Sequence, residues 1–178
     1  MSCRGLIGVA FAIGALGGCA GLTQAPVLPM TAGAELKSPD GKVVGVATLS
    51  QVTGGVRVVL DARGLPPGQK AVHIHATGAC NPPDFSSAGD HLNPDGRKHG
   101  LLNPDGPHVG DLPNITIAAN GSGRLESMNE NLTLGDGPNS LLKPDATAIV
   151  IHSAPDDFKT DPTGNSGARI ACGVIVKR

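Results

Sequence analysis

The stretch AVHIHA, residues 71–76, alternates apolar side chains with two histidines at a period of two. In residues 56–61, VRVVLD, apolar Val56, Val58 and Leu60 are set against Arg57 and Asp61. Side chains that alternate in this way lie on opposite faces of a β-strand. Both stretches are therefore predicted to be half-buried strands.

The rest of the chain repeats this organisation in short segments. Each is bounded by Gly, Pro, Asn or Asp, and the chain contains 26 Gly and 15 Pro, which favour turns over helices. Further strands are predicted at 43–50, 114–119, 123–134, 146–152 and 170–177. We therefore predict an all-β fold, a Greek-key antiparallel β-sandwich or barrel of about eight strands.

Two segments interrupt the strands. Residues 77–113 and 153–169 are rich in Gly, Pro, Asp and Asn and have little apolar periodicity. Unstructured loops of this length are uncommon in compact domains and are usually functional or disordered. We expect both to carry function.

The N-terminal residues have the composition of an export signal. Residues 1–18 contain one basic residue, Arg4, followed by a short apolar run. Residues 16–19, LGGC, resemble a bacterial lipobox, which predicts a signal peptide over 1–18 and a lipid on Cys19. An ordinary cleaved signal is the alternative, and a spanning helix is disfavoured because the run is short and rich in glycine. Residues 19–32 are predicted to be a lipidated tether, and residues 33–178 to form one domain.

Charge and cysteine content narrow the class of protein. The formal net charge is −1, which disfavours nucleic-acid binding because that needs a concentrated basic surface. If Cys3 leaves with the signal and Cys19 carries lipid, Cys80 and Cys172 remain. An even number of cysteines suits an oxidising compartment, and two free buried thiols are the alternative.

The six histidines point to metal. His73 and His75 share one face of a predicted strand, so one ion can bind both. His152 closes another strand and can reach the same face, and three or four imidazoles suit copper. The other three histidines lie in the first long loop together with a carboxylate, a set that suits zinc: His91, His99, His108 and Asp111.

Five segments, in order, resemble the motifs of the copper/zinc superoxide dismutases, especially the bacterial periplasmic branch. They are HIHATGAC (73–80), GDHLNPDGRKHG (89–100), PHVGDLPN (107–114), IVIHSAPDD (149–157) and GNSGARIACGVI (164–175). The resemblance covers nearly all of residues 33–178. It implies an oxidoreductase with copper and zinc as cofactors, which converts superoxide to dioxygen and hydrogen peroxide.

Carried over by position, the resemblance implies two ligand sets that share one imidazole. Copper would be bound by His73, His75, His91 and His152, and zinc by His91, His99, His108 and Asp111. His91 would bridge the two ions and supply a proton to the product. Asp156 would hydrogen-bond His73 and His99, Arg169 would attract the superoxide anion, and Cys80 and Cys172 would form a disulfide.

The sequence departs from the family pattern at one position, and two other functions compete with superoxide dismutation. Pro162 stands where animal members of the family have a steering lysine; Lys159, or Arg97 together with Lys98, are the candidates to replace it, and the sequence leaves the choice open. The rival functions are a copper-binding or copper-delivery envelope protein without turnover, and a structural lipoprotein that binds zinc alone. We expect an exported, lipid-anchored protein that protects the cell envelope from superoxide, and the residues leave monomer and homodimer both open.

Overall fold

The computed structural model describes residues 30–178. The predicted signal peptide, Cys19 and most of the tether lie outside this part of the chain. The described residues contain nine strands, one 3-10 turn at Ser86–Ala88 and no α-helix, and hence no helix long and apolar enough to cross a bilayer. The strands are β1 Thr31–Lys37, β2 Val43–Val52, β3 Gly55–Ala62, β4 Gly68–Lys70, β5 Val72–His75, β6 Ile115–Ile117, β7 Gly123–Asn129, β8 Thr147–His152 and β9 Arg169–Lys177.

Seven of the strands form one curled antiparallel sheet in the order β5-β8-β9-β1-β2-β3-β7, and β4 pairs with β6 in a small second sheet. The hairpin of β8 and β9 is inserted between β5 and β1, which are far apart in sequence. The all-β antiparallel fold predicted from the sequence is confirmed. The two predicted loops are also present, between β5 and β6 and between β8 and β9.

The core lies inside the curl of the large sheet. In β3, Val56, Val58 and Leu60 are fully buried while Arg57 and Asp61 are exposed, as the alternation predicts. The strand predicted in residues 71–76 is present as β5, but the prediction that it is half-buried is wrong, because every residue of β5 is buried. Residues of both long loops contact the histidines of β5 and cover that face of the strand.

The number of strands and several of their boundaries also differ from the prediction. Strands β1 and β4 were not predicted: β1 is rich in Ala and Gly, and β4 has only three residues, too few to show a period. The predicted strand over 123–134 ends at Asn129, where the chain turns away from β3. Because β1 starts at Thr31, regular structure begins two residues before the predicted domain start at 33.

Candidate metal centre

Strand β5 is at one end of the large sheet, and the first long loop pairs twice with its outer edge, which places the loop histidines beside the strand. The Leu92 N–H donates to the Ile74 carbonyl at 2.8 Å, and the Ile74 N–H donates to the Gly110 carbonyl at 2.8 Å. These bonds set His91 opposite His75 and Asp111 opposite His73. A backbone ladder therefore fixes the positions of two loop residues relative to the strand.

Four histidines from three parts of the chain form the first cluster, which we call the copper set. One ring nitrogen of each lies within 4.8 Å of those of the others, and all four residues are buried. Strand β8 pairs with β5, so that His152 Nε2 lies 3.4 Å from His75 Nε2. The copper set consists of His73, His75, His91 and His152.

The second cluster, the zinc set, surrounds one oxygen of Asp111. Asp111 Oδ1 lies 3.0 Å from His99 Nδ1, 3.1 Å from His91 Nδ1 and 3.5 Å from His108 Nδ1. His108 Nδ1 is in turn 3.3 Å from His91 Nδ1. Ligands of a tetrahedral zinc ion with bonds of about 2.0–2.1 Å are separated by about 3.3 Å. The four distances given are close to that spacing.

A competing set replaces His108 by His73, because ligand atoms of His73, His91, His99 and Asp111 also lie within 4.8 Å of one another. However, His73 Nε2 is 2.8 Å from Asp156 Oδ2, which leaves its Nδ1 as the one ring nitrogen free to bind an ion. A single nitrogen lone pair cannot serve both clusters. His73 can therefore serve only one of the two clusters, and His108 is the other imidazole beside Asp111.

The ring nitrogens that face away from the two clusters have acceptors that fix the rings. His75 Nδ1 lies 2.8 Å from the Gly89 carbonyl, and His152 Nδ1 lies 3.3 Å from the Gly167 carbonyl. The carboxylate of Asp156 joins the clusters, with one oxygen 2.8 Å from His73 Nε2 and the other 3.0 Å from His99 Nε2. Such partners set the tautomer and orientation of a metal-binding histidine.

Two buried ring nitrogens, His73 Nδ1 and His91 Nε2, have no hydrogen-bond partner, and His99 Nδ1 has only the Asp111 carboxylate beside it. Buried polar atoms are rarely left unpaired, because an unmet hydrogen bond costs about 1–3 kcal/mol. All three atoms belong to the predicted ligand sets and face the cluster interiors. The residues present therefore fit a pair of bound metal ions.

The electrostatics differ between the two sides. Burial lowers the pKa of His75 to about 2, that of His152 to about 3 and that of His91 to about 4, which keeps these imidazoles in the neutral form that binds metal. Burial alone would lower the pKa of His99, but hydrogen bonds to Asp111 and Asp156 raise it to about 9. The imidazoles of His75, His152 and His91 are thus neutral, whereas His99 lies between two carboxylates and favours the charged form.

Asp156 is enclosed by a later part of its own loop, which passes very close to its carboxylate. Burial opposes ionisation of this carboxyl, but hydrogen bonds from His73 and His99 outweigh that effect and lower its pKa to about 2. Gly164 packs against it with a φ of +63°, and a Cβ at this position would overlap the carboxylate of Asp156 and the ring of His99. Only glycine fits this approach.

A cavity of about 380 Å³ opens beside His91 and is lined by Arg169, Arg97, Asp90 and Asp161, among others. Arg169 is held in its wall because Nη1 donates to the Phe85 carbonyl and Nη2 to the Gly89 carbonyl, each at 2.7 Å. Two of the five guanidinium N–H donors are used in this way.

Of the three basic residues that are candidates to replace the steering lysine, Arg97 is the one that the structure sets in the wall of this cavity. Lys98 pairs instead with Asp105 at 3.4 Å, and neither Lys98 nor Lys159 lines the cavity.

The disulfide between Cys80 and Cys172 is present, with the two Cα atoms 5.6 Å apart. It ties the first loop to β9, and Phe85 and Ala88 pack against it in a small apolar cluster. This segment supplies the two carbonyl groups that hold Arg169. Sequence reasoning missed these carbonyl contacts, because a backbone acceptor leaves no signal in the residue type.

An antiparallel β-barrel with a buried histidine–carboxylate centre for two ions defines a class of dinuclear metalloproteins. Within that class, the sequence profile described as "Copper/zinc superoxide dismutase (SODC)" matches residues 43–175. The chain belongs to the copper/zinc superoxide dismutase family, as the motifs predicted.

Similar proteins agree with this assignment. "Superoxide dismutase [Cu-Zn] 2" of Aquifex aeolicus is 53% identical over 148 residues, covering 82% of this chain and 86% of that protein. "Superoxide dismutase [Cu-Zn]" of Caulobacter vibrioides is 45% identical, with 82% and 85% covered. The crystal structure of a SOD-like protein from Bacillus subtilis matches with a TM-score of 0.78 at 36% identity, covering 81% of this chain and 97% of that one.

Proposed function

We propose that this chain disproportionates superoxide at a copper ion held by the copper set, with zinc held by the zinc set and His91 bridging the two. As a member of its family the chain is an oxidoreductase with copper and zinc as cofactors. The observation that carries the residue assignment is the pair of buried ligand clusters, in which His73 Nδ1 and His91 Nε2 have no hydrogen-bond partner. Their outer nitrogens or neighbouring carboxylates already orient the rings, so that binding an ion requires little rearrangement.

Bound copper supplies one-electron redox chemistry, and zinc, which has none, supplies a fixed positive charge. The residues have the remaining tasks. His91 presents Nε2 to the copper set and Nδ1 to the zinc set, and its Nε2 can hold a proton when it is not bound to metal. From there His91 can pass this proton to the reduced substrate, which takes a second proton from water to leave as hydrogen peroxide.

Arg169 is proposed to capture the anion. Its guanidinium is fixed at the cavity wall beside His91 and remains charged at all physiological pH values. Arg97 lines the same cavity, and we propose that it is the second attracting charge, in place of Lys98 or Lys159. Two arginines in one cavity wall offset the charges of Asp90 and Asp161 there.

We further propose that the enzyme is exported and anchored to a membrane of the cell envelope by a lipid on Cys19, where it removes superoxide. The support is the sequence of residues 1–19, with its apolar run and LGGC motif. The Cys80–Cys172 disulfide also supports this location, because such bonds persist in oxidising compartments.

Metal content of single-ligand variants tests the residue assignment. His152→Ala should lose copper and keep zinc, whereas His108→Ala should lose zinc and keep copper. His91→Ala should weaken both, because it belongs to both sets. Elemental analysis of the purified proteins after loading with both metals gives the result. Loss of the same metal from His152→Ala and His108→Ala would contradict the division into two sets.

A further inference from the structure

A carboxylate of the second long loop touches two members of the zinc set without being a ligand. Asp161 Oδ1 accepts a hydrogen bond from the backbone N–H of His99 at 2.8 Å. The same oxygen lies 3.8 Å from His108 Nε2. Since both histidines belong to the first long loop, Asp161 joins the two loops at the zinc side.

Asp161 lies behind the ring of His108 in the way that Asp156 lies behind the ring of His99. Asp156 takes the outer nitrogen of His99, while both ring nitrogens of His91 face the clusters. His108 points Nδ1 at Asp111 and leaves Nε2 directed towards Asp161. A carboxylate behind a metal-bound histidine fixes the ring and makes its other nitrogen a better ligand.

We propose that Asp161 is a positioning residue for zinc, which holds the backbone of His99 and orients the ring of His108 towards the ion. This inference rests on the proposed zinc set. The 3.8 Å separation is longer than a hydrogen bond, and the Asp161 side chain is 47% exposed. We therefore expect an effect at the lower end of the range for such partners, about tenfold in zinc affinity.

The same loop offers a matched control, Asp157, whose hydrogen bonds stabilise the loop itself. Asp157 accepts hydrogen bonds from the backbone N–H groups of Lys159 and Thr160 at 2.9 and 2.8 Å, and from the Asn165 side chain at 2.8 Å. Asp157 makes none of its hydrogen bonds with a zinc-set residue in the described structure. Removing it disturbs the loop without removing a contact to His99 or His108.

The test is zinc affinity of the full chain, measured by competition with a chelator, alongside copper affinity. Asp161→Ala should weaken zinc binding by about tenfold and leave copper binding unchanged. Asp161→Asn should fall between that variant and wild type, since its amide oxygen can still accept from the His99 N–H but lacks the charge opposite His108. Asp157→Ala should bind zinc within about twofold of wild type.

Wild-type zinc affinity in Asp161→Ala would overturn the inference. So would an equal loss in Asp157→Ala, or an equal loss of copper affinity in Asp161→Ala, since either would mean that only loop folding is affected. His108→Ala separates this failure from failure of the zinc set itself. If His108→Ala loses zinc while Asp161→Ala does not, the ligand set stands and the role of Asp161 is wrong.

Discussion

Reversing the charge of Arg169 should slow the enzyme without removing copper. The cavity wall contains Arg97 and Arg169 against Asp90 and Asp161, so Arg169→Glu leaves one arginine against three carboxylates. Two unit charges about 4 Å apart interact by ~1 kcal/mol in water and ~4 kcal/mol at an effective dielectric constant of 20. Arg169 is partly exposed, which favours the lower value, and reversal changes the interaction by about twice that amount. We expect the second-order rate constant to fall at least tenfold, about 1.4 kcal/mol.

The assay is the rate of superoxide loss at full copper loading, measured against ionic strength. Salt screens attraction in the wild type and should slow it, whereas in Arg169→Glu salt relieves repulsion and should slow the reaction less or accelerate it. Arg169→Lys should lie between the two, because lysine keeps the charge but lacks the planar fork that bonds both the Phe85 and Gly89 carbonyls.

Arg63→Glu is the matched control, since it makes the same change in net charge at an exposed residue that does not line the cavity. It should keep the wild-type rate to within about twofold. Equal rates and equal salt slopes for Arg169→Glu and Arg63→Glu would refute the role given to Arg169.

Three further predictions concern the metal centre and the anchor. Gly164→Ala should lower both the affinity for zinc and the thermal stability, because its Cβ would displace Asp156, and unchanged metal content would contradict this. Metal-free protein should lose stability on acidification from pH 7 to pH 5. The unfolded chain binds protons on its histidines below pH ~6.5, whereas the buried imidazoles of His75, His91 and His152 stay neutral in the folded chain. Each of the three should therefore lower the free energy of unfolding by up to ~1.4 kcal/mol per pH unit. A flat melting temperature over that range, with metals removed, would contradict it. Cys19→Ser should release the protein from membranes and abolish acyl labelling, whereas an unmodified N-terminus in the wild type by mass spectrometry would rule out the anchor.

The strands in which apolar and polar side chains alternate could be predicted from the sequence. Strand β3 has its apolar residues on one face, and its burial follows that pattern. Strand β5 has the same pattern, yet its histidine face is buried as well, because loops distant in sequence cover it. Strand alternation reports which side chains share a face, and it does not report what covers that face.

The clustering of the histidines could be predicted because histidine is rare and chemically specific, and all six in the chain fall in the predicted ligand sets. The contacts of Asp161 could not, because an aspartate before proline in a turn-rich loop has the same appearance whether it caps a turn or contacts a ligand. The carbonyl groups of Phe85 and Gly89, which hold Arg169, have no sequence signal at all. Both depend on how the two loops meet in space.

We propose that one histidine cluster binds copper for turnover while its neighbour binds zinc. The most direct measurement is superoxide dismutation by the purified full chain with both metals removed, then after adding zinc alone, copper alone and both, with the content of each metal determined in parallel. Activity should be absent without copper, remain absent with zinc alone, and rise in proportion to copper bound at the copper set, one ion per chain. Full copper and zinc loading without dismutation would contradict the account and favour a copper-binding protein without turnover.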